Sequence, residues 1–223
     1  MLVDLNLNGK QVIIIGGGTE GLRKLRGLEA QNCEIILITN RLNRIIRTLR
    51  DEGKIHVRKE HVRDTTFLEE YDHPFLIMAC TNDKALNRTI AQKARLRGVL
   101  SYAVDDPAVS EFSYASIINI EGILQIAIST SGRSPIVART IRIKAERVLR
   151  RLIRRSDIDN IKLQEVARKM IRTKIPTVNE RKEFLYSIFN DSTIQKLIKE
   201  DRIDDARQEI VALINSWKGA GRR

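Results

Sequence analysis

Cysteine is scarce: the 223 residues contain two, Cys33 and Cys80, both in apolar surroundings and with no C-x-x-C spacing. Neither a disulfide framework nor a zinc site is therefore expected, and the three histidines (His56, His61, His73) lie scattered away from the thiols. Aromatic residues make up 4% of the chain, and no K/R-G-F-G-F signature is present, so base stacking has no support. No apolar run reaches the roughly 18 residues of a membrane span. The start, Met1-Leu-Val-Asp-Leu-Asn, lacks the charged-then-apolar plan of a signal peptide. These absences lead to the expectation of a soluble, cytoplasmic protein that binds no resident metal and touches no membrane.

Basic charge is abundant. Forty Lys and Arg against 28 Asp and Glu give a formal charge of +12 and a pI near 10.0. Such a surface attracts polyanions in general: nucleic acid, anionic lipid, nucleotides or a small molecule carrying many carboxylates. Charge alone does not choose among them, and nucleic acid as a partner would rest on nothing else.

The chain is organised around Gln11-Val-Ile-Ile-Ile-Gly-Gly-Gly-Thr-Glu-Gly21, where a buried-strand run enters three glycines and then a helical pattern. Gly16, Gly18 and Gly21 stand at G-x-G-x-x-G spacing, which provides a tight turn, close approach of backbone to a pyrophosphate, and close helix–strand packing. The following helix aims unpaired N–H groups and its positive end at the phosphates. A second apolar run, Ile35-Ile-Leu-Ile38, completes one βαβ unit. A bare glycine turn with no nucleotide is the plain alternative.

Taken in order, the pattern predicts strands at 12–15, 34–38, 55–58, 75–79 and 99–104, with helices at 21–31 and 43–50 and another from Leu86 to a stop at Gly98. Asp64 or Thr65 is expected to cap a helix running to Tyr71. After the second strand, Thr39-Asn40-Arg41 stands where many NAD-binding folds place an acid for the ribose 2′-hydroxyl. Asn40 or Thr39 could bond the ribose as neutral groups, while Arg41 leaves room for a 2′-phosphate. In an open parallel sheet ligands lie beyond the carboxyl ends of strands, so the glycines, Thr81 and Asp105 are expected along one crevice. Asp105-Asp106-Pro107 also suits an ordinary turn.

Beyond Pro107 the alternation stops. Segments 114–119 and 123–128 read as an antiparallel pair joined at Ile120-Glu121-Gly122, and a domain boundary is expected near residues 110–113. Ser129-Thr-Ser-Gly-Arg-Ser-Pro135 is a hydroxyl-rich turn with Ser134 at a cap and Pro135 in a first helical turn; it suits an anion or simply a cap. A helix at 136–155 carries an apolar stripe of Ile141, Ala145, Val148, Leu149 and Leu152 beside seven arginines, either a solvated face or an anion-binding wall. Three or four helices follow, with Thr177-x-x-Glu180 and Ser192-x-x-Gln195 as expected capping boxes and a frayed tail at 219–223. This half shows no catalytic constellation, so packing or dimerisation is its economical role.

With these segments in place, the chain resembles the precorrin-2 dehydrogenase family, the siroheme-synthase proteins that oxidise precorrin-2 with NAD and in some members insert ferrous iron. The resemblance is carried by Val12-Ile-Ile-Ile-Gly-Gly-Gly18 with Arg23-Lys24, Ala79-Cys-Thr-Asn-Asp83 with Leu86-Asn87, Val104-Asp-Asp-Pro107 with Phe112, and Ala127-Ile-Ser-Thr-Ser-Gly-Arg-Ser-Pro135 with Ala138-Arg139. Glu180-Arg-Lys-x-Phe184 adds to it in the helical part. It implies Asp105 as the catalytic residue. Cofactor contacts are implied at Gly18, Thr19, Glu20, Asn40 and Arg41, to which the glycine fingerprint adds Gly16, Gly17 and Gly21, and the crevice adds Thr81. The tetrapyrrole site is implied near Thr130, with Arg133, Ser134 and Arg139 available for its carboxylates. A homodimer with an intertwined middle domain is implied too. Three departures stand out: Tyr102-Ala-Val-Asp105 replaces the usual Asn-Val-Val-Asp, Ala115 a usual proline, and Gly21 a usual alanine.

The fold expected is α/β: a Rossmann-type parallel-sheet domain over 1–112, a small α+β dimerisation domain over 113–150 and a helical domain over 151–223. The function expected is oxidation of precorrin-2 to sirohydrochlorin with NAD, NADP not being excluded, and with Fe2+ as a second substrate if the chain is also a chelatase. Asp105 at a strand end suits a proton acceptor. Guanidinium groups match substrate carboxylates. The alternative is a nucleotide-sensing regulatory module without catalysis, which shares the glycines but usually places an acid after the second strand.

Overall fold

The computed structural model describes residues 2–217; the tail at 219–223 lies outside them. The chain divides into two compact units. One holds the described residues up to Ala115 together with Ser129–Ser134, the other Ser116–Ile128 together with the described residues from Pro135 onward.

In the first unit five strands, β1 (Gln11–Ile15), β2 (Glu34–Thr39), β3 (His56–Lys59), β4 (Leu76–Ala79) and β5 (Leu100–Ala103), form a parallel sheet in the order β3-β2-β1-β4-β5. Helices α1 (Thr19–Leu28), α2 (Arg44–Asp51) and α3 (Lys84–Leu96) make the crossovers, with a single 3-10 turn at Thr66–Glu70 between β3 and β4. Both sheet faces are covered, which is why β1, β2 and β4 read as unbroken apolar runs rather than alternating ones. Val12, Ile14, Leu37 and Met78 pack on one face against Leu25, Ile46 and Leu49; Ile13, Ile15, Ile38 and Ile77 pack on the other against Phe67, Ile90 and Ala94. The strand order reverses direction between β1 and β4, and that switch point is where an open sheet forms its crevice.

Several boundaries differ from the sequence pattern. Helix α1 starts at Thr19, two residues before the expected Gly21, because Leu22 N–H already bonds to Gly18 O (2.9 Å). The segment after Asp64 makes a 3-10 turn and no α-helix; the Asp64 carboxylate takes Thr66 N–H (2.8 Å), whereas Thr65 offers no side-chain cap. Asn43, expected inside α2, is its cap and accepts from Ile46 N–H.

The second unit opens with the hairpin β6 (Ser116–Ile120) and β7 (Leu124–Ile128), antiparallel as expected. Glu121 and Gly122, at φ of 54° and 73°, form its tight turn. Ile118 and Ile120 pack with Ala145 and Leu149 of α4 (Pro135–Leu152) and with Ile158. Pro135 is the first helical residue, as its missing N–H permits. The helix expected at 136–155 is α4 and ends earlier, at Leu152. The Arg154 backbone turns extended and donates to the Asp157 carboxylate (2.7 Å), which starts α5 (Arg155–Lys174) afresh. The expected apolar stripe also divides: Ala145 and Leu149 pack inward, but Val148 is 64% and Leu152 68% exposed.

Helices α6 (Val178–Asn190), α7 (Ser192–Lys199) and α8 (Ile203–Ser216) close a bundle on α5 around Leu163, Ala167, Phe184, Ile188, Ile194 and Ile210. Thr177 caps α6 as the sequence predicts, accepting from Glu180 N–H (3.2 Å) while its hydroxyl bonds the Glu180 carboxylate. The expected box at Ser192 is not formed. Asp191, one residue earlier, takes Ile194 N–H (2.9 Å), a stronger acceptor being available there.

Candidate dinucleotide and tetrapyrrole site

The carboxyl ends of β1, β2, β3 and β4 meet around a cavity of about 320 Å³ lined by Gly16, Gly17 and Gly18, by Thr39, Asn40 and Arg41, by Glu60, His61 and Arg63, and by Thr81 to Asp83. Glycine is required here by distance as well as by backbone angle. A Cβ on Gly16, whose φ is +105°, would lie 2.4 Å from Cys80 O, and one on Gly21 would lie 1.9 Å from Gly16 O. Helix α1 can therefore start directly against the β1–β4 seam, with nothing within 4 Å of a Cβ placed on Gly18. Gly17 N–H is held by Thr39 Oγ1 (3.1 Å), which also accepts from Arg41 N–H (3.1 Å) and so ties the glycine turn to the loop after β2. The amides ahead of Leu22 at the start of α1 have no intrahelical partner. An open cradle of glycine, free helix-start amides and a polar rim fits the pyrophosphate and ribose of a dinucleotide.

Among the expected cofactor contacts, Gly16, Gly17, Gly18, Asn40, Arg41 and Thr81 line this cavity. Thr19, Glu20 and Gly21 do not: they form the start of α1 beside it, and the Glu20 carboxylate bonds Arg23 Nε (3.0 Å). Sequence reasoning missed Glu60, His61 and Arg63, which follow β3 and reach the cavity because β3 ends at the same sheet edge. His61 Nδ1 lies 3.0 Å from Asn40 Nδ2, and Glu60 is engaged by Arg58. Arg41 and Arg63 form no ion pair among the described residues.

Asp105 stands beyond β5, exposed, and does not line that cavity. It is connected to it through Asn87, one turn into α3 and fully buried. Asn87 Oδ1 accepts from Thr81 N–H (3.0 Å) and Thr81 Oγ1 (2.7 Å); its Nδ2 donates to Thr81 O (3.0 Å) and to Asp105 Oδ1 (3.2 Å). Asn87 is one of the residues that carry the resemblance, but its place as the link to Asp105 is not marked locally, since it stands six residues after Thr81 in a helical pattern. Next door, Asp106 is paired with Arg88 at 2.9 Å.

On the α1 side of the sheet, Lys24 is buried among rings. Its Nζ donates to Tyr102 Oη (3.1 Å) and lies 3.3 Å from the Tyr114 ring centroid, with Phe112 stacked on Tyr102 at 5.2 Å. Burial, helped by the adjacent Arg23, brings its pKa down to about 8, so desolvation outweighs the attraction of the rings. Burial also pushes the Cys80 thiol up to about 12, which keeps it a neutral thiol, and raises the phenols of Tyr102 and Tyr114. The departure at Tyr102 thus builds an aromatic wall.

The expected substrate contacts are held differently. Thr130 and Ser134 close one turn, in which Ser134 N–H donates to Thr130 Oγ1 and Arg133 N–H to Thr130 O (both 3.0 Å), with Ser131 and Gly132 at positive φ. The Arg133 side chain is exposed on it. Arg139 is exposed on α4 in the second unit. Among the described residues no group of three or more His, Cys, Asp or Glu side chains is placed to hold a metal ion. No helix among them is long and apolar enough to cross a membrane.

Comparison with known proteins agrees with a dinucleotide-binding sheet domain. The NAD(P)-binding family model NAD_binding_7 matches residues 3–116, and the sirohaem biosynthesis protein central model matches residues 121–144. A siroheme synthase of Mannheimia succiniciproducens is 32% identical over 96% of this chain and 43% of its own length, and one of Neisseria meningitidis is 32% identical over 92% and 41%. The chain thus spans about two fifths of the length of these relatives. The solved structure of SirC, precorrin-2 dehydrogenase, superposes with a TM-score of 0.68 over 97% of this chain and all of that one, at 21% identity, so the two share a fold. The chain belongs to the NAD(P)-binding family whose model covers half of it, and carries directly behind that region the central segment of sirohaem-biosynthesis proteins.

Proposed function

We propose that the chain oxidises precorrin-2 to sirohydrochlorin, with a nicotinamide dinucleotide on the glycine turn and Asp105 as proton acceptor. The single observation that supports the reading is the chain of hydrogen bonds from Thr81, on the wall of the dinucleotide-sized cavity, through buried Asn87 to the exposed carboxylate of Asp105. Gly16, Gly17 and Gly18 and the start of α1 would hold the pyrophosphate, and Asn40 and Thr81 its flanking groups. The dinucleotide, when bound, supplies a hydride acceptor. The protein's share of the oxidation is to hold the macrocycle so that one C–H hydrogen can leave as hydride, with the electron pair of its bond, while Asp105 takes the proton released from the ring. Thr130, Arg133, Ser134 and Arg139 are the proposed carboxylate contacts of the macrocycle, as hydroxyl and guanidinium donors.

NAD is the proposed oxidant. NADP is the second reading, favoured by Arg41 and Arg63 on the cavity wall, neither of which forms an ion pair among the described residues. We further propose a homodimer built on the middle segment 113–150, with 1–112 as the dinucleotide module and 151–223 as the helical module; the exposed Ile136, Val148 and Leu152 of α4 support such a contact.

The test incubates the purified protein with precorrin-2 and NAD or NADP and follows the spectrum. Asp105→Asn is expected to lower turnover about a hundredfold or more while leaving folding and dinucleotide binding unchanged. Undiminished sirohydrochlorin formation by that variant would remove Asp105 from the mechanism. Ferrous iron added afterwards reports whether the product is also metallated by this chain.

A further inference from the structure

We infer that Asn87 is a positioning residue for the oxidation: it clamps one oxygen of Asp105, leaves the other as the oxygen that takes the proton, and locks that carboxylate to the wall of the dinucleotide cavity. The inference rests on the proposed role of Asp105.

Asn87 has four hydrogen-bonding valences and all four are used. Its amide orientation is forced, because Thr81 N–H can only donate and Thr81 O can only accept, so Oδ1 must face the first and Nδ2 the second. With one Nδ2 proton spent on Thr81 O, the other points to Asp105 Oδ1 at 3.2 Å. Oδ2 of Asp105 has no partner among the described residues, and the side chain is exposed, so this oxygen is the one presented outward. The clamp is rigid for a second reason: Asn87 is 0% exposed, so no water can take over a lost bond. Thr81, at its other end, is itself a wall of the dinucleotide cavity.

A residue serving only to stop the β4–α3 turn would need Thr81 alone, since that pair already satisfies the turn. The remaining bond, to a carboxylate 18 residues further along the chain, adds nothing to the turn. It restricts instead the rotation of the exposed Asp105 carboxylate. A misdirected acceptor is costly because proton transfer requires hydrogen-bond reach in the reacting geometry.

The experiment measures kcat, substrate KM and dinucleotide Kd for full-length Asn87→Asp, Asn87→Ser, Asp105→Asn and the double variant Asn87→Ser/Asp105→Asn, using precorrin-2 and NAD. Asn87→Asp keeps an acceptor for Thr81 but faces Asp105 with oxygen in place of a donor. Asn87→Ser, uncharged and smaller, serves if the buried carboxylate prevents folding. The expected result is a kcat lowered at least tenfold with dinucleotide Kd within threefold of wild type. In the double variant, the Asn87 substitution is expected to cost nothing further, because the group it positions is gone. Folded variants with unchanged kcat, or losses that multiply in the double variant, would overturn the inference. If Asp105→Asn leaves no residual rate, the kcat and Kd split alone decides. If Asp105→Asn itself turns over normally, the functional reading fails first and is recognised by that result.

Discussion

The sheet unit and the helical unit treat polar side chains in opposite ways. In the sheet unit Lys24, Thr39, Thr65, Asn87 and Ser101 are buried; Lys24 bonds Tyr102, Thr39 the amides of Gly17 and Arg41, Asn87 Thr81 and Asp105, and Ser101 Glu111, while in the second unit, among the described residues, Asp159 alone is a buried charge, held by Arg155 and Lys162. Conversely, the second unit exposes Ile136, Val148, Leu152, Val178 and Tyr186 along helices rich in Arg and Lys. Burying a polar group costs stability unless it is fully bonded, so the sheet unit is one in which small errors of placement are expensive. The helical unit has its apolar core inside and a surface tolerant of change. The proposed chemistry, which depends on fractions of an ångström, is assigned to the first, and the proposed contact between copies to the second.

Four experiments would sharpen or break this contrast, beyond the loss expected for Asp105→Asn. Gly21→Ala places a Cβ 1.9 Å from Gly16 O, so the turn must shift. A cost of about 1–3 kcal/mol in stability is expected, with dinucleotide affinity lowered at least tenfold by calorimetry. Wild-type affinity would show that the turn is looser than the contrast requires. As a control within the same unit, Gly27→Ala on the exposed face of α1 meets nothing within 4 Å and should be neutral or slightly stabilising.

On the second unit, Val148→Glu with Leu152→Glu is expected to convert a dimer to monomers in light scattering, with the helical circular-dichroism signal retained. A dimer that persists places the contact elsewhere.

Lys24 supplies a pH test of the first unit. Its pKa in the fold is about 8, below the ordinary lysine value, so between the two an unfolded chain carries the proton and the folded one does not. Stability therefore rises with pH across that window and is lower by a constant amount beneath it. Arg23, Glu20 and Cys80 are the charged or titratable neighbours that contribute. Lys24→Met should raise the melting temperature at neutral pH and abolish the alkaline rise. The smallest effect is expected at Thr177→Ala, which removes the α6 cap for about 1 kcal/mol and a melting shift of roughly 2–4 °C.

Much of this was legible in the sequence because it depends on short range. The glycine spacing, the apolar strands, the hairpin at Glu121-Gly122 and the Thr177 cap are local choices of backbone angle and period, and all lie where the pattern placed them within a few residues. Errors arose where two local signals competed. Arg154-Arg-Ser-Asp157 carries both helix-forming arginines and a helix-start acid, and the acid won. Asp191 displaced Ser192 for the same reason. The crevice beside the glycines could be argued from strand order, but Glu60, His61 and Arg63 joined it only through the position of β3 at the sheet edge.

By itself, the sequence determined the sheet's alternation, the glycine turn and the basic balance, since each follows from side-chain size, period and charge. Tertiary structure alone decided that a buried asparagine ties Thr81 to Asp105, that Lys24 sits against the rings of Tyr102 and Tyr114, and that Val148 and Leu152 face outward while Leu149 does not. The physical reason is that burial and hydrogen-bond partnership belong to pairs of residues far apart in the chain, and no single residue's chemistry specifies which distant neighbour will satisfy it.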